Sequence, residues 1–223
     1  KEWRENLNER VNPDLFFEAL RCQIDDDAIA VVDDGDHTYL TAALFPVIKS
    51  PHLLCPPDFN CMGYAVPAAI GAKLANPQKQ VVSIVGDGGF LMTCMEILTA
   101  TSNGLGIVYF VFHDGELSQI AQGQEIPYNR KTCTPPGKID LNGVGLATGA
   151  AYLPIDDNQQ ITAIVTEALT IAADNQPVIV DVRIDYSKRT RFTQGIVKTV
   201  LKRFPLGDKM RFVSRAFLRK VTG

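Results

Sequence analysis

Residues 81–90, with the sequence VVSIVGDGGF, constrain the fold of this 223-residue chain more than any other stretch. The first five residues are mostly apolar, and the run stops abruptly at Gly-Asp-Gly-Gly. Such a run bounded by glycine is typical of a strand buried on both faces, as in a parallel sheet. Asp87 then lies at the carboxyl end of the strand, where open α/β sheets bind their ligands. Because glycine lets backbone amides approach an anion and a carboxylate offers oxygen to a divalent cation, the stretch predicts a metal–diphosphate site.

A second apolar run, GIVYFVF, supports the predicted metal–diphosphate site, for which a single Gly-Asp-Gly turn would be weak evidence. The run ends at His113 and Asp114, and Asp114 follows Asp87 by 27 positions. Neighbouring parallel strands joined by a helix need a crossover of this order. Two carboxylates are therefore expected to meet at adjacent strand ends.

Three spaced motifs resemble those of thiamine diphosphate enzymes of the acetolactate synthase-like group. The usual cofactor motif is Gly-Asp-Gly, a spacer and Asn-Asn, and here His113-Asp114 stands at the Asn pair. Residues 59–77 resemble the group's MGYGLPAAIGA segment, and residues 31–40 resemble its DVGQH segment. The blocks keep their mutual spacing, and the match runs from about Asn12 to Tyr186. A metal- or nucleotide-binding α/β domain of another kind is the alternative.

The resemblance implies thiamine diphosphate and Mg²⁺ as cofactors. The side chains of Asp87 and Asp114 and the backbone carbonyl of Glu116 would bind the metal. The residues implied to contact the cofactor are Asp34, Gly35, Asp36, His37, Asn60, Met62, Gly86, Asp87, Gly88, Gly89, Met92, Asp114 and Glu116. Asn60 and Met62 would hold the aminopyrimidine through their backbone, and Met92 would lie beneath the cofactor, with an ordinary core methionine as the alternative.

Three departures from the family pattern bear on the site. Asp36 replaces a usual glutamine, which places a carboxylate near an anion unless the side chain points away or is paired. Gln119 and Gly123 stand where branched-chain acetolactate synthases have a methionine and a tryptophan that shape the second-substrate pocket. The resemblance therefore implies a wider and more polar substrate pocket than in those enzymes.

The resemblance also implies that the catalytic glutamate lies on a pyrimidine-binding domain of a partner subunit. No segment here resembles that domain, so no catalytic residue is assigned to this chain. We expect the diphosphate-binding part of a 2-oxo acid decarboxylase or carboligase, as a fragment or a split subunit, in a homodimer or larger assembly. A non-catalytic cofactor-binding or regulatory module is the alternative, as is a peripheral-membrane oxidase or decarboxylase.

The alternation of apolar runs predicts an α/β fold, a doubly wound, mostly parallel sheet with helices on both faces, followed by a basic helical C-terminal tail. Expected boundaries are a linker at 1–11, the cofactor domain at 12–187 and the tail at 188–223. Predicted helices span 13–23, 64–75, 93–102, 141–150 and 160–173, and predicted strands span 28–32, 81–85, 107–112 and 178–182. Residues 122–138 are polar and proline-rich, and predict a mobile loop beside the site.

Cysteine usage and hydropathy indicate the compartment. The five cysteines are an odd number without a Cys-x-x-Cys spacing, which favours free thiols in a reducing environment. The sequence starts with no signal peptide, and its longest apolar runs are far shorter than the roughly 20 residues needed to cross a bilayer. We therefore expect a cytoplasmic location.

The charge of the chain is unevenly distributed. Residues 188–223 hold eleven basic residues against one acidic residue, whereas the whole chain has a net charge of −3. In this tail an apolar stripe runs beside arginines at every fourth position, which predicts a basic amphipathic helix. We expect the stripe to pack on an acidic face of the chain's own oligomer, through Phe192, Val200, Phe204 and Phe217. An anionic membrane surface is the alternative, and no recognised motif favours nucleic acid.

Overall fold

The computed structural model describes residues 9–188, 190 and 196–222. Its strands are β1 (Ile29–Val32), β2 (Leu53–Leu54), β3 (Val81–Gly86), β4 (Val108–Phe112), β5 (Ala151–Ile155) and β6 (Val178–Val182). Its helices are α1 (Pro13–Gln23), α2 (Asp36–Leu44), α3 (Ala65–Ala75), α4 (Asp87–Thr93), α5 (Ile97–Ser102), α6 (Ser118–Tyr128), α7 (Leu141–Thr148), α8 (Ile161–Ala173), α9 (Ile196–Arg203) and α10 (Leu206–Thr222). A 3-10 turn, Cys94–Glu96, joins α4 to α5.

The six strands form one sheet in the order β2-β1-β3-β4-β6-β5, and every pairing is parallel. The connection from β1 leads outward to β2, and the chain then returns across β1 to β3. The direction of winding therefore reverses between β1 and β3. Ligands of open α/β sheets bind at such a switch point, outside the carboxyl ends of the strands.

Helices cover both faces of the sheet, as the alternation predicted. On one face, Phe16 of α1 packs edge to face against the rings of Phe110 and Phe112, with centroids 5.2 and 5.1 Å apart. On the other face, Ile97 of α5 and Leu141 of α7 belong to the apolar cluster around the opposite side of β3 and β4. Burial on both faces is the reason that these strands are nearly continuous apolar runs.

Helix α1 illustrates how local sequence sets an element boundary. The Asn12 side chain accepts hydrogen bonds from the backbone nitrogens of Asp14 and Leu15, at 2.9 and 3.4 Å. Pro13, which has no N–H to leave unpaired, occupies the first helical position. The predicted bounds of this helix are therefore confirmed.

The structure corrects the sequence interpretation at several elements. Helix α2 and strands β2 and β5 were not predicted, and the predicted helix over 93–102 is divided among α4, the 3-10 turn and α5. Residues 122–128 of the predicted loop belong to α6, and Thr134 in its remaining part is buried. Pro127 lies in the last turn of α6, where a missing N–H removes one hydrogen bond without ending the helix.

The tail contains the predicted amphipathic helix, but the body of this chain does not cover its apolar stripe. Phe217 is 69% exposed and Phe204 is 37% exposed. Phe192 and the side chain of Val200 lie outside the described residues. Phe217 therefore does not dock on the body of the same chain, and its docking on another subunit of an oligomer stays a prediction.

All five cysteines are free, which confirms the thiol interpretation. Within the described ranges, no helix combines the length and the apolar character that a bilayer crossing needs.

Candidate functional site

Three strand ends form the floor of the candidate site. The turn after β1 carries Asp34 to His37, the turn after β3 carries Asp87, and the turn after β4 carries Asp114. Because β3 lies between β1 and β4 in the sheet, all three turns emerge side by side at the switch point. The sequence prediction that two carboxylates meet at adjacent strand ends is consistent with this topology.

Asp87 joins the turns that follow β3 and β4. Its Oδ1 atom accepts a hydrogen bond from the Gly88 nitrogen at 2.7 Å, and its Oδ2 atom accepts one from the Gly115 nitrogen at 2.8 Å. Burial raises the pKa of the carboxyl, while these amides and the nearby His113 lower it. The Asp87 side chain thus lies fixed beside the turn that carries Asp114.

Asp114 is the most strongly perturbed carboxyl of the site. Burial raises its pKa to about 6, with a further contribution from the negative charge of Asp87, against the hydrogen bond from the Ser118 hydroxyl. The Asp87 charge acts on Asp114, and the hydrogen bond from Gly115 holds Asp87 beside the same turn. A divalent cation between them would relieve both the burial cost and the repulsion.

Glu116 turns its side chain away from the two aspartates. Its carboxylate accepts hydrogen bonds from Lys131 Nζ at 2.6 Å and from Thr134 Oγ1 at 2.8 Å. The Thr134 carbonyl accepts a further bond from the nitrogen of Leu117 at 2.8 Å. The loop after α6 is therefore fastened beside the site by Glu116, and only the backbone carbonyl of this residue remains as a candidate metal ligand.

The described residues contain no cluster of three or more His, Cys, Asp or Glu side chains arranged to hold a metal. A cation at Asp87 and Asp114 would therefore need further oxygen ligands from a backbone carbonyl and from the bound anion. Mg²⁺ is commonly held in this way, by one or two carboxylates together with phosphate oxygens.

His37 is buried between the turns that follow β1 and β3. A Cβ atom added to Gly35 would lie 2.5 Å from His37 Cε1, and one added to Gly86 would lie 3.1 Å from it. Burial lowers the pKa of the imidazole to about 3, so the ring is neutral. Among the described residues its Nε2 atom has no hydrogen-bond partner. A buried polar atom without a partner at a ligand site is a candidate contact for a bound group.

Asp36, the residue that departs from the family pattern, is paired. Its Oδ2 atom accepts a hydrogen bond from Gln122 Nε2 at 2.6 Å. Gln122 belongs to α6, so the bond joins the start of α2 to the helix that follows the Asp114 turn. This hydrogen bond holds the Asp36 carboxylate against α6 at the edge of the site.

A cavity of about 90 Å³ lies over these turns. Most of the predicted site residues line it: Asp34, Gly35, Asp36, His37, Met62, Gly86, Asp87, Gly88, Gly89, Asp114, Glu116 and Gln119. A Cβ atom on Gly88 would lie 2.3 Å from Leu117 Cδ2, so only glycine leaves this part of the cavity wall undisturbed.

Asn60, Met92 and Gly123 do not line this cavity. Asn60 is exposed and has a φ of 50°, and Met92 is 61% exposed, which excludes an ordinary core methionine. An added Cβ on Gly123 would meet nothing within 4 Å. Their predicted roles require a ligand or a partner that extends beyond the cavity, and they stay predictions.

Two residues of the site region were missed from the sequence. Asp33 is fully buried, and its carboxylate accepts hydrogen bonds from the nitrogens of Gly63, Tyr64 and Ala65 at 2.9, 2.7 and 3.1 Å. Asp181 of β6 has its Oδ1 atom 3.0 Å from His113 Nδ1, so the His113 side chain contacts the neighbouring strand. The Asp-Asp pair directly after the β1 run was a signal for Asp33, whereas nothing local marks Asp181 as a partner of His113.

Comparisons with known proteins agree with this geometry. The family model described as "Thiamine pyrophosphate enzyme, C-terminal TPP binding domain" matches residues 33–182. The chain is 31% identical over 186 residues to an acetolactate synthase of Bacillus subtilis, covering 83% of this chain and 32% of that protein. It is 30% identical over 176 residues to the large subunit of acetolactate synthase isozyme 1 of Escherichia coli, and the match covers 78% of this chain and 31% of that protein.

A solved structure shares the fold. The thiamine diphosphate-dependent 4-hydroxybenzoylformate decarboxylase of Rhodococcus jostii superposes with a TM-score of 0.73 at 22% identity, over 82% of this chain and 34% of that one. The chain thus spans about a third of the length of the proteins that it matches. Since the family model covers the sheet from the end of β1 to the end of β6, this chain belongs to the C-terminal thiamine pyrophosphate-binding domains of the acetolactate synthase-like enzymes.

Proposed function

We propose that this chain holds the diphosphate of thiamine diphosphate and its Mg²⁺ ion as part of a 2-oxo acid decarboxylase or carboligase. The observation that carries the proposal is the pair of carboxyls at one cavity, that of Asp87, which is buried, and that of Asp114, which is partly buried. The unpartnered Nε2 atom of His37 and the glycine wall at Gly88 fit a bound polar group at the same place. When bound, thiamine diphosphate supplies the electron sink for loss of carbon dioxide from a 2-oxo acid.

The roles of the chain's own residues follow from their chemistry. Asp87 and Asp114 would bind the cation, and the amide of Gly89 would face the diphosphate at the start of α4, where the Gly88 amide donates to Asp87 in this structure. The turn before α2, at Asp34 and Gly35, would lie on the opposite side of the diphosphate. None of these groups is suited to move a proton to or from the aminopyrimidine, so the catalytic glutamate is proposed to come from a pyrimidine-binding domain in the same or a partner chain.

An exposed apolar strip supports a need for a partner beside the cavity of about 90 Å³. Beside it, the stretch from α4 to α5 exposes the large apolar side chains of Leu91, Met92, Met95 and Leu98. An uncovered apolar strip of this kind marks a contact surface, and we propose that a second subunit of a homodimer or larger assembly covers it.

The proposed substrate pocket is polar and open. Gln119 lines the cavity and offers both a donor and an acceptor. Gly123 lies on the same helix outside the cavity, where an added Cβ atom would meet nothing within 4 Å. These positions favour a 2-oxo acid and an acceptor that are larger or more polar than those of the branched-chain pathway.

The proposal predicts that binding depends on the metal. Thiamine diphosphate is expected to bind the chain in the presence of Mg²⁺ and not in the presence of a chelator, because the anion would otherwise face two carboxylates. Isothermal titration calorimetry with and without EDTA measures this. Binding that is unchanged by the chelator would contradict the metal site. Turnover of a 2-oxo acid by the chain alone would contradict the proposal that the catalytic glutamate comes from a pyrimidine-binding domain.

The charge of Asp36 leads to a further prediction. Asp36→Gln, which restores the residue usual in the family, is expected to tighten thiamine diphosphate binding by roughly fivefold, since two unit charges about 4 Å apart in water interact by about 1 kcal/mol. Calorimetry of the metal-loaded chain measures the change. Asp174→Asn is the matched control, because it removes one negative charge at the end of α8, before the amino end of β6. Equal affinities of both variants would show that Asp36 does not face the anion.

A further inference from the structure

Helix α10 displays an apolar stripe that the rest of the described chain leaves uncovered. The stripe consists of Leu206, Met210, Val213, Phe217 and Val221, which recur every three or four residues and so share one side of the helix. Their exposures lie between 55% and 74%. A continuous apolar surface of this kind on an otherwise polar helix indicates a binding surface.

A different side of α10 attaches the helix to the body. Arg219 Nη1 donates a hydrogen bond to the Pro127 carbonyl at 2.7 Å, and its guanidinium lies 5.0 Å from the ring centroid of Tyr128. Within the tail, on the same side of the helix, the ring of Phe212 packs edge to face against that of Phe204, with centroids 6.3 Å apart. With about 100° per residue, Phe212 and Arg219 point roughly opposite to the stripe. The attachment therefore turns the stripe outward, away from the body.

The charge around the stripe selects its occupant. Residues 196–222, which form α9 and α10, hold eight basic residues and one acidic residue, Asp208. Lys209 and Lys220 flank the stripe on one side by their positions along the helix. A second copy of this helix would bring like charges together, which is unfavourable. A soluble anion would satisfy the charges but would leave the apolar stripe in water.

We propose that α10 lies flat on an anionic phospholipid surface, with its apolar stripe buried at the boundary between headgroups and acyl chains. A basic helix with one apolar face binds a bilayer in this orientation without spanning it. Its Lys and Arg side chains extend to the headgroups on long apolar stems. This surface involves neither the metal nor the cofactor cavity, so its test is independent of the proposed function.

Flotation with lipid vesicles tests the proposal on the full 223-residue chain. One set of vesicles contains phosphatidylcholine alone, and the other contains equal amounts of phosphatidylcholine and phosphatidylglycerol. We expect the chain to float with the anionic vesicles at low salt and not to float with the neutral vesicles. Added salt is expected to release the chain from the anionic vesicles, because it shortens the range of electrostatic attraction.

Two double variants separate the apolar and electrostatic contributions. Met210→Ser with Phe217→Ser removes the centre of the stripe, and flotation is expected to be lost. Lys209→Gln with Lys220→Gln is expected to weaken binding by roughly fivefold for each lysine. Lys49→Gln with Lys138→Gln is the matched control, because it removes the same charge from exposed residues of the body. Circular dichroism verifies that each variant is folded.

Each other outcome overturns the proposal. Absence of binding to the anionic vesicles, equal binding to the neutral vesicles, or unchanged binding of the stripe variant would each exclude it. If the Lys49 and Lys138 control loses as much vesicle binding as the Lys209 and Lys220 variant, the interaction depends only on the net charge of the chain. If analytical ultracentrifugation shows that the stripe variant dissociates an oligomer while the unchanged chain ignores vesicles, the occupant is a second copy.

Discussion

Asp87→Ala is expected to abolish magnesium-dependent binding of thiamine diphosphate, with a loss of affinity greater than about 100-fold. Residues that merely orient a metal ligand contribute roughly 10- to 100-fold, and a ligand itself should contribute more. Asp87 also accepts hydrogen bonds from Gly88 and Gly115, so its loss releases both turns that face the anion. Calorimetry with Mg²⁺ present measures the affinity, and circular dichroism of the cofactor-free variant verifies the fold.

Two further variants make this result specific. Asp114→Asn restores the residue usual in the family and is expected to retain binding, because an amide oxygen is also a hard ligand. Asp87→Asn keeps the shape of the side chain while removing its charge, and it replaces the alanine variant should that variant fail to fold. Cofactor binding by both Asp87 variants with the affinity of the unchanged chain would show that the cation lies elsewhere.

Asp33→Ala is expected to lower the free energy of unfolding by roughly 3–5 kcal/mol. The change leaves three backbone amides without an acceptor, and each buried donor of this kind costs about 1–3 kcal/mol. The amides belong to the turn that starts α3, so the start of this helix also loses its cap. Urea unfolding followed by circular dichroism measures the loss. Asp34→Ala, one residue along, is the control, and equal stabilities of the two variants would contradict the role of Asp33.

A double-mutant cycle with Gly89 tests whether the Asp33 carboxylate lies against this glycine. A Cβ atom on Gly89 would lie 1.9 Å from Asp33 Oδ2, so Gly89→Ala is expected to be strongly destabilising. In the Asp33→Ala background the same change should cost little, because the clashing carboxyl is gone. The two changes are therefore expected to couple by 0.5–3 kcal/mol, as contacting residues do. Additive effects would mean that the two positions do not touch.

The sequence by itself determined strands β1, β3, β4 and β6 and the acidic turns that follow β3 and β4. The runs that end at Asp87 and Asp114 are apolar because both faces of β3 and β4 are buried, and that burial is visible in a local pattern. The same glycine and acidic residues that end a strand supply the ligand turns, so one pattern predicted both. Helix α1 was predicted with its observed bounds because its cap is local.

Only the tertiary structure decided which of these elements are neighbours and where their polar side chains point. The order of strands places β6 beside β4, and that pairing gives His113 its partner Asp181. Residues 122–128 are helical despite Gly123 and Pro127, since Gln122 and the Pro127 carbonyl gain partners in α2 and α10. The amphipathic pattern of α10 predicted the helix, but it could not decide which way the stripe faces. That direction depends on contacts with residues some 90 positions away, because a hydrophobic pattern defines a face and not its partner.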